Sequence, residues 1–578
     1  MNIRAIISHV LAVMTLVIGT GCALRSEADI SLLYLTDVHG LLLQDDFNEG
    51  HQASSSLAKF CSYRKIALMD DPERFILLCG GDLNVDQPSL YYYNNFVKYE
   101  EHISPRVMNW LGFDAIQMGA NDMISGMKIY HDLLPKQYRM PYLCANAIDD
   151  KTGKCAFVPY TVIERKGVKV AVLGMMDPRI RSGIRHSYYD GIHFMPVEEC
   201  ARMWIDKIRT NERPDIIVGL LHTDAKNSNV LNVPGFDVIL LGFDHNSLPA
   251  GEFTVNEVGD TVYLVEPMHH VQEVARVDIQ MKRENGAWKK KDVQVQRISL
   301  QGYPADLDFC AEFKQSTDDI NKYLSTPIGN FENPIPASDA LFGPSVIMDL
   351  IHNMQLWVTK ADVSFTSLSS SLDGIRSGTF TMRDVFQLYR YDNKLMMLRM
   401  TGAEINTFLE HAYDVQFNMM KNADDHLIAF RYDENNEIIN GQYGPELVVP
   451  HYAYTSAAGI KYTVDVSKPN GQKVNIISMS DGRPFDVNAE YRVAINDYQA
   501  AGGGSHTTDG LGWDANTADE RRIFIGDMDM RMYIVNYIRM HKDEPVCRND
   551  WKVIPATWWN RGFTRDYNLM KPMFEPKR

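Results

Sequence analysis

Five short loops carry the residues of this chain that could do chemistry. They read Thr36-Asp37-Val38-His39-Gly40, Gly80-Gly81-Asp82-Leu83-Asn84, Gly119-Ala120-Asn121-Asp122, His222-Thr223-Asp224 and Gly242-Phe243-Asp244-His245. One Asp- or Asn-bearing loop is ordinary turn chemistry. Five of them, each directly after a short apolar run, ask for another explanation. Carboxylate and imidazole are hard or borderline donors, the types that hold divalent cations, so the set points to a metal site built from several loops.

Those loops need elements that bring them together. The apolar runs lie at 30–36, 75–79, 114–118, 168–175, 215–221 and 236–241, rich in Ile, Val and Leu and separated by amphipathic stretches. This pattern predicts an α/β fold with largely buried sheets, and open α/β sheets place ligands at the C-terminal ends of their strands. Residues 306–324 read as a helix, and 327–336 as a connection punctuated by prolines. Beyond it a second domain is expected, with a helix near 344–359, strands near 395–400, 461–464 and 474–479, and a glycine cluster at 502–504. The expected division is 1–22 signal, 23–29 tether, 30–301 metal domain, 302–327 connecting helix, 328–551 second domain and 552–578 an aromatic, basic tail that packs back onto the body.

Composition bounds the partners. The 578 residues are 45% hydrophobic and 23% charged, which excludes a disordered, collagen-like or multi-span membrane chain. Lys plus Arg number 58 against 74 Asp plus Glu, a net charge of −16. That balance disfavours a nucleic-acid polymer, whose binding rests on clustered Lys and Arg. The N-terminus has Arg4, an apolar core to Ile18 and small residues before Cys22, as in a bacterial lipoprotein signal, although Gly19 stands where a Leu is usual. The expected protein is extracytoplasmic and held to a bacterial membrane only by lipid on Cys22. None of the other seven cysteines form a CxxC pair; Cys144 and Cys155 could bridge in an oxidising compartment, and Cys79 reads as core.

The motifs resemble the 5′-nucleotidase and 2′,3′-cyclic-nucleotide phosphodiesterase family. Besides the metal loops, the resemblance rests on 87–94, Ala145-Asn146-Ala147, Asp373-Gly374-Ile375-Arg376, Tyr391-Asp392-Asn393, 401–404 and 457–465. It implies a calcineurin-like metallophosphoesterase domain with layered sheets and flanking helices, followed by a second α/β 5′-nucleotidase C-terminal domain. The implied chemistry is a two-metal clamp on the phosphoryl group during attack by water. One metal would be held by Asp37, His39 and His245, with Asp82 bridging. The other would share Asp82 and take His222, an Asn and a further His.

The last two depart from the family pattern. Aligned without a gap, Ala120 stands in the place of the ligand Asn, Asn121 in that of the catalytic His, and Ile124 in that of the acid orienting it. A one-residue shift would restore Asn121 as a ligand but put Asp122 in the His position. Phe243 replaces the first His of a Gly-His-x-His pattern. His269-His270 offer a substitute imidazole, but on a strand at most one of the two could turn inward.

For substrate, the resemblance implies base stacking by Tyr454, with His506 near the second aromatic position, Gly503 in the glycine-rich loop and Arg376 binding an anion. Alone, Tyr454 would read as packing and Arg376 as a surface ion pair. The implied function is hydrolysis of nucleotide phosphate esters, with one or two divalent cations, zinc, manganese or similar. The alternative is a catalytically impaired nucleotide-binding lipoprotein on the same scaffold.

Overall fold

The apolar runs form the inner strands of two six-stranded sheets. In the computed structural model the described residues are 26–574, apart from 98–99, 178–187, 225–228, 244, 246, 371, 373, 442–443 and 515–516. The expected signal segment and Cys22 lie outside them. Among the described residues no helix is long and apolar enough to cross a membrane.

In the first sheet β1 (Glu27–Leu35), β2 (Phe75–Cys79) and β3 (Ala115–Gln117) run parallel, with Leu35 opposite Cys79 and Leu78 opposite Ala115. In the second, β4 (Val168–Met176), β5 (Ile216–His222) and β6 (Val238–Gly242) run parallel, with His222 opposite both Met176 and Gly242. Successive side chains of a strand point to opposite faces. Leu32, Tyr34, Ile76, Leu78, Val170, Val218, Leu220 and Leu240 therefore meet in one core between the sheets. Leu33, Leu35, Leu77 and Cys79 face outward into a second core. Leu173, Ile217, Leu221 and Ile239 face the helix Val197–Asn211 through Cys200, Ile205 and Ile208. Each such buried aliphatic side chain is worth roughly 1.5–3 kcal/mol. Tyr34 ties the sheets by donating to the Leu241 carbonyl at 2.8 Å. The result is layered, sheet on sheet with helices outside.

A third sheet follows, in the order Thr455–Ala458 (β9), Val363–Ser367 (β7), Glu490–Asn496 (β10), Lys394–Thr401 (β8) and Arg522–Asp529 (β11). Its half of the molecule grips the first half at residues 47–49. Arg383 donates to the Phe47 carbonyl, Gln387 to that of Asn48 at 2.9 Å, and Arg390 pairs with Glu49 at 2.6 Å. Beside this seam the buried Arg531 pairs with Asp392 and Asp529 and lies over the rings of Tyr91 and Phe386.

Several boundaries move. β1 begins at Glu27, paired with Lys282, so residues 27–29 belong to the sheet and not to a tether. The expected helix over 306–324 is two helices, Leu307–Glu312 and Lys314–Leu324, broken at Phe313 (φ −97°, ψ 9°). Within the Pro-punctuated connection, Pro327–Phe331 pairs with Gly378–Thr381 as a strand. The cut at 551 falls inside the strand Trp551–Ile554, which pairs with Ile460–Asp465. After it, the helix Ala556–Met570 is held by Trp559 donating to the Phe342 carbonyl at 2.8 Å and by Asp566 accepting from the Leu427 and Ile428 amides. Cys144 and Cys155 are unbridged, as are the other five described cysteines.

Candidate metal centre and cleft

The C-terminal ends of β1, β2, β3, β5 and β6 converge at one edge of the paired sheets, and their loops are laced together by backbone. The Asp37 amide donates to the Gly81 carbonyl at 3.1 Å, and the His39 amide to that of Asp82 at 2.8 Å. Donor atoms of Asp37, His39, Asp82 and His245 all lie within 4.8 Å of one another. The His39 and His245 Nε2 atoms are 3.0 Å apart, and His245 Nε2 is 3.3 Å from Asp37 Oδ1. All four residues have left-handed backbone, with φ of 48°, 47°, 45° and 55°. That region costs an L-residue roughly 1–2 kcal/mol. Four such residues converging on one point is a strained arrangement of the kind that gathers at functional sites.

Glycines make the approach possible. A Cβ on Gly242 would lie 2.1 Å from Thr36 Oγ1 and 2.9 Å from Asp37 Oδ2, and one on Gly119 would lie 2.2 Å from Asp82 Oδ1. Gly242→Ala is therefore expected to push Asp37 out of the cluster and to destabilise the fold by about 1–3 kcal/mol, checked by metal content and a denaturant titration of the same preparation.

Two further groups complete the surroundings. Asp86 accepts from His39 Nδ1 at 2.5 Å and so points Nε2 at the cluster. Sequence reasoning passed over Asp86, although it lies only four residues after Asp82. Burial opposes the charged form of His39, but the hydrogen bond and charge of Asp86, with Asp82 and Asp37, raise its pKa to about 9. Burial also opposes the ionised form of Asp37, yet hydrogen bonds from His222 and His245 hold its pKa well below the carboxylate range. His222 is fully buried behind the two carboxylates, 3.3 Å from Asp37 and 3.4 Å from Asp82.

In the third loop Asp122 and Asn121 take different roles. Asp122 accepts from the amides of Leu83 (3.0 Å), Asn84 (2.7 Å) and Gly119 (2.8 Å), so its carboxylate is turned into the neighbouring loop and away from the cluster. Asn121 reaches Asp82 instead, donating its amide to Oδ1 at 2.8 Å and its side-chain nitrogen to Oδ2 at 2.6 Å. His269 and His270 also differ from expectation. They sit in a turn with φ of 55° at His270, and both rings pack against the cluster without adding a donor to it, His269 stacked 4.8 Å from His245 and His270 edge-on 4.8 Å from His39.

The donor cluster opens on a cleft of about 320 Å³ between the two halves. His39, Asp86, Asn121, Ile124 and His245 line one side; Tyr391, Asn393, Tyr452, Asn496 and Tyr498 line the other. Of the expected substrate contacts, Tyr454 and His506 are buried outside this lining. His506 turns its Nε2 inward, 3.1 Å from Thr455 Oγ1 and 2.9 Å from the Ala453 carbonyl. Tyr454 starts the turn into β9 facing the core, so the aromatic presented to the cleft is Tyr452, two residues earlier. Arg376 is exposed and is not in the lining. Gly503 acts indirectly: a Cβ there would lie 2.4 Å from the Tyr498 ring.

Similarity to known proteins follows the same two halves. Residues 327–509 match the family model of the 5′-nucleotidase C-terminal domain. The trifunctional nucleotide phosphoesterase YfkN of Bacillus subtilis is 23% identical, covering 94% of this chain, which spans only 40% of that protein's length. The 2′,3′-cyclic-nucleotide 2′-phosphodiesterase/3′-nucleotidase of Salmonella typhimurium is 23% identical over 92% of this chain and 89% of its own. Among solved structures, a putative 5′-nucleotidase from Staphylococcus aureus superposes with a TM-score of 0.69 at 18% identity, covering 91% of this chain and all of that one. The 5′-nucleotidase precursor of Thermus thermophilus gives 0.61, also at 18%, over 92% of this chain and all of its own.

Proposed function

We propose that this chain, which belongs to the family of 5′-nucleotidases and 2′,3′-cyclic-nucleotide phosphodiesterases, is a metal-dependent phosphoesterase that hydrolyses phosphate esters of nucleotides. The observation that carries the reading is the donor cluster of Asp37, His39, Asp82 and His245 opening on a cleft walled by three tyrosines. Two carboxylates and two imidazoles suit a divalent cation such as zinc or manganese. When bound, the cation supplies Lewis acidity toward a phosphoryl oxygen and makes water acidic enough to attack at neutral pH.

The chain's own residues do the rest. Asp86 fixes the tautomer and direction of His39. Asn121, beside Asp82 on the cleft wall, can donate a hydrogen bond to a phosphoryl oxygen but has no proton to give a leaving group. The absence of a positioned acid there costs on the order of 10²–10⁴ in rate. Tyr391 and Tyr452, edge-on at 6.0 Å, offer faces for a nucleobase, and Asn393 offers a polar contact to a sugar.

Phosphate release from a panel of nucleoside monophosphates and cyclic monophosphates, with added manganese or zinc, tests the reading. Release that stops on chelation is expected. Tyr452→Ala is expected to raise KM about 5–100-fold with kcat within a factor of about two, since stacking is worth ~1–3 kcal/mol per base. A second reading, a nucleotide-binding protein without turnover, is favoured by Asn121 and Phe243 alone. It predicts a melting shift with nucleotide and no release.

Residues 27–301 and 327–554 are taken as the metal and substrate domains, joined through 302–326, with each boundary moved to the end of the strand it would otherwise cut. The lipoprotein-type run ending at Cys22 supports an extracytoplasmic, lipid-anchored protein.

A further inference from the structure

We infer that the centre holds a single metal ion, because this chain's own side chains close the second position that the family's two-metal arrangement uses. The inference rests on the metal reading above and not on turnover.

A bridging carboxylate must leave an oxygen free toward each ion. Asn121 takes one lone pair of each Asp82 oxygen, Oδ1 accepting its amide and Oδ2 its side-chain nitrogen, and so adds no ligand oxygen on that side. With no cation between them, turning the carboxamide over would set two oxygens 2.6 Å apart, so the nitrogen faces Asp82. The other walls of that position are equally closed to a cation. Ala120 is fully buried and carries only a methyl group. Phe243 puts its ring edge-on to His222 at 5.7 Å, where an imidazole would be needed. Its backbone amide takes Asp37 Oδ2 at 3.2 Å, an oxygen that Thr36 Oγ1 also binds at 2.7 Å. His222 is then the one imidazole left there, its Nε2 3.3 Å from Asp37 and 3.4 Å from Asp82, so with Asp82 that position has two protein ligands. A structural or catalytic ion of this class takes at least three protein ligands. Among the described residues only Asp37, His39, Asp82 and His245 converge in that way.

The test is metal stoichiometry, which needs no activity. The full chain, reconstituted with excess Mn²⁺ and dialysed, is expected to retain about one ion per chain by elemental analysis and to show the spectrum of isolated Mn²⁺ by electron paramagnetic resonance. About two ions per chain with exchange-coupled signals would overturn the inference while leaving the metal reading intact. No retained ion would overturn both. The double variant Ala120→Asn/Phe243→His is expected to retain about two ions and acquire coupling. Because position 120 is fully buried, Phe243→His alone is made in parallel; its ring is of similar shape, and added manganese is expected to bind with weak second-site occupancy. If both variants keep native circular dichroism and neither gains an ion, these side chains do not close the site and the inference fails.

Discussion

Asp82→Ala is expected to strip the metal from the protein and to lower phosphate release from nucleotides by on the order of 10³-fold, since a bound cation supplies several kcal/mol of transition-state charge stabilisation. Asp82 is fully buried at the end of β2, and its carboxylate faces the other donors while accepting both bonds from Asn121. Among the described residues Asp37 is the one other carboxylate of the donor group. Asp122 is committed to three backbone amides, and Asp37 is already a member of the cluster. Removal also leaves the amide and side-chain nitrogen of Asn121 without their acceptor, so a loss of stability of about 1–3 kcal/mol accompanies the loss of metal. Asp82→Asn separates the two effects, because it keeps volume and one acceptor oxygen but removes the charge. A denaturation midpoint near wild type with metal content still reduced is expected for it. Full metal retention and wild-type kcat/KM in Asp82→Ala would exclude Asp82 as a ligand and with it the proposed centre.

What the sequence made legible was the part governed by local periodicity and strand ends. The apolar runs set the β1, β2, β4, β5 and β6 positions to within a few residues. Parallel pairing then carries Asp37, Asp82, His222 and His245 to one edge without further information, because each lies at the end of its strand or within three residues of it. Legibility ended where backbone conformation and tertiary packing decide which way a side chain points. Tyr454 and Tyr452 differ by two positions, and only the turn before β9 determines that the first is buried and the second faces the cleft. On a strand, His269 and His270 would point to opposite faces. They lie in a turn with left-handed backbone at His270 and Val271, which releases both rings to the same side. Asp86 lacks any strand-end position to mark it, and its role appears only through its bond to His39.

Asp86 also sets the pH dependence of metal uptake, the second large effect expected. In the metal-free protein His39 has a pKa of about 9 against an ordinary 6.5. Its protonated form is held by Asp86, and that contribution to folding stability is complete below about pH 6.5 and lost as pH rises through about 9. Metal binding has the opposite sign, since His39 must lose its proton to ligate. Apparent affinity is therefore expected to climb about tenfold per pH unit from 6.5 and to level off above about 9, roughly a 100-fold span or more. Asp86→Asn removes the principal group that raises the His39 pKa, so its curve should level off at a lower pH. Above pH 9 proton competition is absent and only the loss of orientation counts, which is worth about 10–100-fold in affinity for such a partner. Below pH 7 the gain from weaker proton competition offsets that loss, and the two curves should converge. Competition titrations with a chromophoric chelator between pH 6 and 10 measure both curves. A wild-type affinity independent of pH, or a variant curve parallel to wild type throughout, would remove Asp86 and His39 from this role.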